Sequence, residues 1–321
     1  MKKALITGIA GQDGSYLAEL ISSKGYTVYG IDKSTPNLPA YSNDVINHFY
    51  EIDLNKPTAL RKIVQEISPD EIYHLAAYHF SSQKGGNKKK SFRQFYLINQ
   101  LATNEILDAI LHHNNKCRIF YASSCQIFGK VESFPQNEQT AFRPDSLYSI
   151  SKAAASNLCR FYRDHHGIYA SVGILYNHES VRRPNSFVTT QIAMAAAKAS
   201  LGQPVKLILR DLNTKVDWGA AEDYVNAMWL SLQQAVGDDY IIASGITHSV
   251  GEFARIAFTS VGLNSDDFVF QESKIKTVEM LPLVGDPSKM KNKCKWTPLI
   301  TFDSLVKKMV DSQIERLINV D

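Results

Sequence analysis

One short stretch near the N-terminus constrains the fold more than any other, the glycine-rich turn TGIAGQDG at residues 7–14. It follows the apolar run ALIT and precedes SYLAELISSKG, which has helical periodicity. Gly8 can supply the positive φ of a tight turn. Gly11 would let N–H groups at the helix N-terminus approach a pyrophosphate, and Gly14 would allow the helix to pack closely on the strand. The spacing therefore predicts a dinucleotide-binding turn between a strand and a helix.

An acidic residue in the expected place supports this interpretation. Asp32 closes the next apolar strand, TVYGID, so that one βαβ unit runs from Lys3 to Asp32. A carboxylate there accepts hydrogen bonds from the adenosine ribose and repels a 2′-phosphate. NAD is therefore expected rather than NADP, although the adjacent Lys33 weakens the repulsion. In the alternative interpretation, Asp32 merely ends a strand.

The same alternation of short apolar runs and amphipathic stretches recurs in EIYHLAA and CRIFYASS. It predicts an α/β fold with a Rossmann-type doubly wound parallel sheet, followed by a smaller C-terminal α+β subdomain. After about Ser171 the rhythm changes, and QIAMAAAKASLG and TFDSLVKKMVDSQIERLI have the character of separate helices. The predicted boundaries are 1–173 plus roughly 217–245 for the NAD-binding domain, and 174–216 plus 246–321 for the smaller one.

Composition excludes several classes of protein. A net charge of +3 is too small to indicate a nucleic-acid-binding protein, and the apolar runs are too short to span a bilayer. The first apolar run stops at Gly8, so it predicts a strand and not a signal peptide. Four scattered cysteines without a CxxC pair indicate reduced thiols in a cytoplasmic protein, with no metal site. The basic insertion from Lys84 to Arg93 is interpreted as a solvated loop.

A second motif, Tyr148 and Lys152 in SLYSISKAAASNL, suggests catalysis. The four-residue spacing in a helical stretch puts both side chains on one face. A free tyrosine has a pKa of about 10, but a nearby ammonium and an oxidised nicotinamide would stabilise the phenolate. It could then take a proton from a hydroxyl while the adjacent carbon gives hydride to NAD. Ser123 and Ser124 end an apolar strand, at the sheet edge where ligands bind. An accidental surface pair is the alternative.

Together these motifs resemble the extended short-chain dehydrogenases: the glycine turn, LAA at residues 75–77, a serine before Phe128-Gly129, and YxxxK. More narrowly, the chain resembles the GDP-mannose 4,6-dehydratase family from Ala4 to Trp296. The resembling stretches are GIAGQDGSYLAELISSKGY, RPDSLYSISKAA, GILYNHESVRRPNSFVTTQI, VDWGAAEDYV and VGDPSK. The resemblance implies an enzyme that acts on a nucleotide-linked sugar, with a GDP-sugar expected.

The resemblance also implies the site residues. The expected catalytic residues are Ser124, Tyr148 and Lys152. Cofactor contacts are expected from Gly8, Gly11, Gln12, Asp13, Gly14, Asp32, Asp53, Leu54, Leu75, Ala76, Ala77, Asn99, Tyr148 and Lys152. Substrate contacts are expected from His79, Ser124, Gln126, Asn177, Phe187, Val188, Lys276 and Glu279. Within this set Asn177 would meet the sugar-linked phosphate, residues 186–188 the base, and Glu279 the nucleotide ribose. His178 would be structural or lie near the cofactor.

The departures from the family pattern concern the chemistry. In the dehydratases a glutamate in the turn before the aromatic-Gly pair removes the C5 proton after oxidation at C4, and here that residue is Gln126. A glutamine carries no charge and is a very poor base. Cys125 resembles a catalytic cysteine of GDP-fucose synthases, but the count from Phe128 puts Gln126 in that place, so Cys125 is expected to be a buried small residue. His79 stands where a serine or glutamine is usual in the family. Its alternative roles are a sugar contact, an acid/base group, or a polar residue that lines the site.

Other departures concern the phosphates. Val216 and Lys276 replace arginines of the family, and Gln191 replaces a lysine. Because bidentate arginine contacts suit phosphates, these changes predict weakened or rearranged pyrophosphate binding. The nearby cations Lys206, Arg210 and Lys215 are candidates to compensate, and each has the alternative of being an exposed charge.

The leading hypothesis is an NAD-dependent oxidoreductase acting at C4 of a GDP-linked manno-configured hexose or heptose. The alternatives are a 4,6-dehydratase with an unforeseen base, a C4 epimerase, and a non-enzymatic NAD-binding regulator. The helices from Asn99 to His112 and from Tyr148 to His165 have apolar residues on more than one face, which predicts a homodimer or higher homo-oligomer. Neither a nucleic acid nor a membrane is expected as a partner.

Overall fold

A computed structural model describes residues 1–33, 45–79, 92–272 and 281–319. Its strands, in chain order, are β1 (Lys3–Thr7), β2 (Thr27–Asp32), β3 (His48–Glu51), β4 (Glu71–His74), β5 (Arg118–Ser124), β6 (Ala170–Leu175), β7 (Asn177–Glu179), β8 (Leu207–Leu209), β9 (Lys215–Ala220), β10 (Asp239–Ile242), β11 (Thr247–Ser249) and β12 (Val269–Gln271).

The helices, in chain order, are α1 (Gln12–Ser23), α2 (Thr58–Ile67), α3 (Phe92–Phe95), α4 (Ala102–His113), α5 (Leu147–His166), α6 (Val188–Ser200), α7 (Ala221–Ser231), α8 (Val250–Thr259), α9 (Ser288–Cys294) and α10 (Phe302–Ile318). A π-helix (Tyr96–Leu101) joins α3 to α4, and short 3-10 helices span Cys125–Phe128 and Ser265–Asp267. No helix in the described part of the chain is long and apolar enough to cross a bilayer.

Seven of the described strands form one parallel sheet in the order β3-β2-β1-β4-β5-β6-β10. Strands that are covered on both faces read as continuous apolar runs, and every residue of β6 is buried. Helices α2, α4 and α5 pack on one face, and α1, α7 and α9 pack on the other. The predicted doubly wound fold is confirmed, and the unit from Lys3 to Asp32 forms as expected.

A smaller unit has its own core. It contains a three-stranded sheet (β11-β9-β7) and the parallel pair of β8 and β12, packed with α6, α8 and α10. Its boundary differs from the predicted one in two stretches: β9 places residues 217–220 in the smaller unit, and Met290 and Trp296 pack into the core beside α1 and α7. The indole Nε1 of Trp296 also donates to the carbonyl of Asp223 on α7 at 2.9 Å. This part of 246–321 therefore packs with the large sheet.

Candidate functional site

The glycine turn forms the floor of a cleft where the strand order reverses between β1 and β4. Gly8 has a φ of +73°, and a Cβ there would lie 2.9 Å from the backbone of Ala76. A Cβ on Gly14 would lie 2.3 Å from the carbonyl oxygen of Gly8. Any side chain at either position would push the turn away from β4 or α1. The two glycines thus have the steric roles predicted for them, and they leave a cradle at the N-terminus of α1.

Asp32 lies beside this cradle at the carboxyl end of β2. Its carboxylate accepts hydrogen bonds from the N–H groups of Ala10 at 3.1 Å and Lys33 at 2.8 Å. Asp53 lies on the same side of the cleft, and its carboxylate accepts from the backbone and side chain of Asn55 at 2.9 and 2.8 Å. Both carboxylates are therefore held by backbone donors, and Asp32 is the one predicted to meet the ribose hydroxyls.

Two residues of the turn are held by a distant segment of the chain. The amide of Gln12 donates to the carbonyl of His178 at 3.1 Å and accepts from Ser180 at 2.9 Å. The carboxylate of Asp13 lies 2.8 Å from Nε2 of His178. Burial alone would raise the pKa of Asp13, but the charge of His178 and its hydrogen bond lower it below its ordinary value. The same pairing outweighs burial at His178 and raises its pKa. The prediction that His178 lies near the cofactor site agrees with this placement.

The cleft has a volume of about 1150 Å³. It brings together most of the residues predicted for the site: Gly8, Gly11, Gln12, Asp13, Gly14, Asp32, Asp53, Leu54, Leu75, Ala76, Ala77, His79, Ser124, Gln126, Tyr148, Lys152, Asn177, Phe187 and Val188. Lys276 and Glu279 lie outside the described residues. The volume, the cradle and the two carboxylates fit a dinucleotide with a second ligand beside it.

Asn99 was predicted to contact the cofactor, but it is not among the residues that line the cleft. It is buried in the π-helix, where its side chain accepts from the N–H of Tyr78 at 2.7 Å and donates to the carbonyl of Tyr78 at 3.1 Å. Its amide also donates to Ser151 on α5 at 3.0 Å. Asn99 therefore fixes the loop after β4 against the helix that carries the YxxxK motif.

The three predicted catalytic residues meet at the sheet edge. Ser124 ends β5, and α5 begins at Leu147, one residue before Tyr148, with a capping box formed by Ser146 and Ser149. Ser124 and Tyr148 both line the cleft, and the Ser124 hydroxyl lies near the Tyr148 hydroxyl. The Lys152 ammonium lies 5.9 Å from the centre of the Tyr148 ring and donates to the carbonyl of Ala122 at 2.7 Å. The arrangement can hold an oxygen between a serine and a tyrosine, with a cation behind the tyrosine.

The electrostatics of this group differ from the simple expectation. Lys152 is only 2 % exposed, and burial lowers its pKa to about 7. Burial also raises the pKa of Tyr148 to about 12, although the neighbouring Ser124 hydroxyl acts in the opposite direction. The protein groups therefore do not themselves produce the lowered tyrosine pKa on which the sequence argument depends. Additional positive charge from an oxidised nicotinamide is needed to stabilise the phenolate.

The turn after β5 holds the two residues that depart from the family pattern. The N–H of Gln126 donates to Ser124 at 3.3 Å, and its uncharged side chain lines the cleft. Cys125 is 4 % exposed, and burial raises its thiol pKa to about 12. A thiol in that state is a poor acid and a poor nucleophile. Cys125 therefore behaves as the buried small residue that was predicted.

Arg183 also lines the cleft, although the sequence argument did not select it. Its guanidinium lies 3.7 Å from the centre of the Phe187 ring, and its Nε lies 3.1 Å from Glu179. The signal was present in the NHESVRR motif, where two arginines follow a buried acidic residue. The proposed compensating cations Lys206, Arg210 and Lys215 are not among the described residues that line the cleft.

The fold and the cleft define a class: a Rossmann-fold protein of the short-chain dehydrogenase type, with a Ser-Tyr-Lys group beside a dinucleotide cradle. The chain belongs to the GDP-mannose 4,6-dehydratase family, whose profile matches residues 5–309. It is 38 % identical to GDP-mannose 4,6 dehydratase 1 of Arabidopsis thaliana over 336 residues, covering 98 % of this chain and 90 % of the relative. The resemblance drawn from the sequence motifs is thereby confirmed.

Solved structures of low sequence identity share the fold. The UDP-glucose 4-epimerase of Thermotoga maritima, solved with UDP-glucose, superposes with a TM-score of 0.85 at 19 % identity, covering 98 % of this chain and 99 % of that one. The dTDP-glucose 4,6-dehydratase of Bacillus anthracis, solved with NAD, gives 0.83 at 20 % identity, with coverages of 99 % and 98 %. These two structures show the shared fold, whereas membership of the GDP-mannose 4,6-dehydratase family makes the chain an enzyme of the sugar-nucleotide epimerase/dehydratase group.

Proposed function

We propose that the protein oxidises C4 of a nucleotide-linked sugar, with NAD as the hydride acceptor, and releases a 4-keto sugar. The observation that carries this proposal is the meeting of Ser124, Tyr148 and Lys152 in the same cleft as the uncharged Gln126. The first group suits proton removal from a hydroxyl, whereas elimination of water needs a base that Gln126 does not supply. Family membership supports a GDP-linked manno-configured sugar as the substrate, and we propose that this sugar is a hexose or a heptose.

Each residue has a definite task in this reaction. Ser124 donates a hydrogen bond to the oxygen on C4. Tyr148, as the phenolate, accepts the proton of the C4 hydroxyl. Lys152 stabilises the phenolate from behind the ring. When bound, NAD supplies the hydride acceptor and the positive charge that the protein groups lack. The cradle of Gly8 and Gly14 would hold its pyrophosphate.

A 4,6-dehydratase is the second candidate function, favoured by the family match along nearly the whole chain. That reaction requires proton removal at C5. Cys125 is a poor candidate because burial raises its thiol pKa to about 12. The other candidate for this base is His79, whose imidazole lines the cleft. It is the remaining described residue for which the sequence suggested an acid/base role.

The product distinguishes the two candidates. The purified protein is incubated with NAD and GDP-mannose, and in parallel with a GDP-linked manno-heptose, and the products are analysed by mass spectrometry and NMR. We expect a sugar nucleotide with two hydrogens fewer, together with one NADH per product. A product that has lost water, with no net NADH, would establish dehydration instead.

The cofactor preference follows from Asp32. We expect NAD to bind at least about tenfold more tightly than NADP, a difference of about 1.4 kcal/mol, because the carboxylate repels a 2′-phosphate. Asp32→Asn should narrow the ratio, whereas Asp53→Asn, a matched loss of charge in the same cleft, should leave it unchanged. Calorimetric titration of each variant with both cofactors measures the ratio, and equal affinities in the unchanged protein would refute the role of Asp32.

The oligomeric state follows from α5, whose outer face exposes Leu147 at 41 %, Ile150 at 43 % and Phe161 at 48 %. We propose that this face pairs with a second copy of the chain. Ile150→Glu should give a monomer, because an uncompensated buried charge costs several kcal/mol. Ile208→Glu, at an exposed apolar residue on β8, is the matched control and should not change assembly. Sedimentation velocity at micromolar concentration is the measurement, and a monomeric unchanged protein would contradict the proposal.

A further inference from the structure

A row of four side chains crosses the substrate side of the cleft. The Arg183 guanidinium lies 3.7 Å from the centre of the Phe187 ring. The Phe187 ring stacks on His79 with 5.9 Å between ring centres and 29° between planes. His79 in turn meets Tyr148 edge to face, at 5.1 Å and 82°. The imidazole is therefore held between two aromatic rings, one of which carries the hydroxyl that must contact the reacting oxygen.

The outer end of this row is fixed to the smaller unit. Glu179, whose side chain is 2 % exposed, pairs with Arg183 at 3.1 Å and accepts a hydrogen bond from Thr189 at 2.7 Å. The row therefore connects α5 of the large domain to β7 and α6. Both ends of the row are therefore anchored, and His79 lies between them and lines the cleft.

The charge state of His79 follows from its surroundings. His79 is an exposed residue overall, but the desolvation of its imidazole lowers its pKa to about 4, and the positive charges of Arg183 and Lys152 act in the same direction. The groups that act on His79 are these two cations and the Tyr148 phenol. None of these three groups is a carboxylate. Near neutral pH the ring carries one N–H donor and one bare nitrogen acceptor. Among the described residues, none hydrogen-bonds either nitrogen of His79, so that part of the chain leaves both nitrogens open to the cleft.

We propose that His79 determines sugar specificity, by hydrogen bonding a hydroxyl carried on a carbon that flanks the reacting C4. The inference rests on the proposed function and adds a requirement to it. With the Tyr148 hydroxyl on the C4 oxygen, the ring in edge contact with Tyr148 faces the C3 or the C5–C6 side of the same sugar. The apolar Phe187 ring beside it suits the C–H face of a pyranose. The cleft thus selects a sugar that keeps that hydroxyl and rejects the corresponding deoxy sugar.

The test measures binding without turnover. In a Tyr148→Phe background, which retains the ring but not the acid/base group, calorimetry gives the Kd of GDP-mannose and of its 3-deoxy and 6-deoxy analogues. The variants are His79→Phe, which keeps the stacking, and His79→Asn, which keeps a donor and an acceptor. His48→Phe is the matched control, since His48 also stacks on a tyrosine, Tyr29, but lies outside the cleft. Circular dichroism checks that every variant is folded.

We expect His79→Phe to weaken GDP-mannose binding by about 10- to 100-fold, the effect of a polar contact left unpaired. One of the two deoxy analogues should bind the variant as tightly as it binds the parent, because it lacks the hydroxyl that His79 contacts. That analogue therefore identifies the hydroxyl. His79→Asn should recover part of the loss, and His48→Phe should change nothing.

The inference is overturned if His79→Phe binds GDP-mannose as tightly as its parent, or if it weakens all three ligands equally. The proposed function fails separately. In that case discrimination against the deoxy analogue is present, but the protein with an intact Tyr148 transfers no hydride from C4.

Discussion

Replacing Tyr148 with phenylalanine is expected to slow NADH formation by about 10²- to 10⁴-fold, the usual contribution of a positioned general base. The ring would keep its edge contact with His79 and its place above Lys152, so the loss can be assigned to the hydroxyl. NAD binding should change little, because Asp32 and the glycine cradle are untouched. Single-turnover absorbance of NADH and calorimetric titration with NAD measure the two effects.

The control for this experiment is Tyr29→Phe. Tyr29 also stacks on a histidine, but it lies outside the cleft, so its hydroxyl should not affect hydride transfer. A Tyr148→Phe enzyme that retains more than about a tenth of the rate would be incompatible with tyrosine as the base. The pH profile gives a further check. The rate in the unchanged enzyme should rise with pH as the phenol loses its proton, and this rise should be absent in the variant.

Replacing Gln126 with glutamate should have the second large effect, a gain of reaction. A carboxylate on this turn would provide the base that elimination at C5 lacks, and the expected increase in dehydration is about 10²- to 10⁴-fold. NADH should then no longer accumulate, because hydride returns to C6 of the sugar. NMR of the product distinguishes a 4-keto-6-deoxy sugar from the 4-keto sugar expected of the unchanged protein.

Gln126→Ala is the control, since it removes the same amide without adding a base. It should produce no dehydration, whereas oxidation at C4 should continue through Tyr148 and Lys152. If the unchanged protein already forms a 4-keto-6-deoxy sugar, Gln126 is not the residue that decides the outcome. His79 would then be the residue to replace next, because it lines the same cleft.

The predictions from sequence succeeded where the physical cause is local. The turn around Gly8 and Gly14 follows from the absence of a Cβ at two positions, and both would clash with backbone within 3 Å if they carried one. The helical spacing of Tyr148 and Lys152 places both on one side of α5, and the strand that ends at Ser124 brings the serine to them. Such features depend on a few neighbouring residues and on the handedness of the βαβ connection.

Contacts between distant residues were not accessible in the same way. Asn99 has the composition of a site residue, yet the π-helix buries it behind the loop after β4, where it bonds Tyr78 and Ser151. Arg183 was passed over, and its place over Phe187 depends on how β7 and α6 meet the large sheet. Trp296 lies in the C-terminal segment assigned to the smaller unit but packs beside α7. In each case the packing partner is remote in the chain.

By itself, the sequence determined the doubly wound sheet, the dinucleotide turn with Asp32, the family and the substitution of Gln126, because periodicity, glycine sterics and the identity of a side chain need no partner. Only the tertiary structure decided which groups share a cleft and in what charge state they do so. Asp13 meets His178 across 165 positions of the chain. Burial brings the pKa of Lys152 to about 7 and that of His79 to about 4. These values depend on how much water the surrounding protein excludes and on which charges it brings near, and neither quantity exists before the chain has folded.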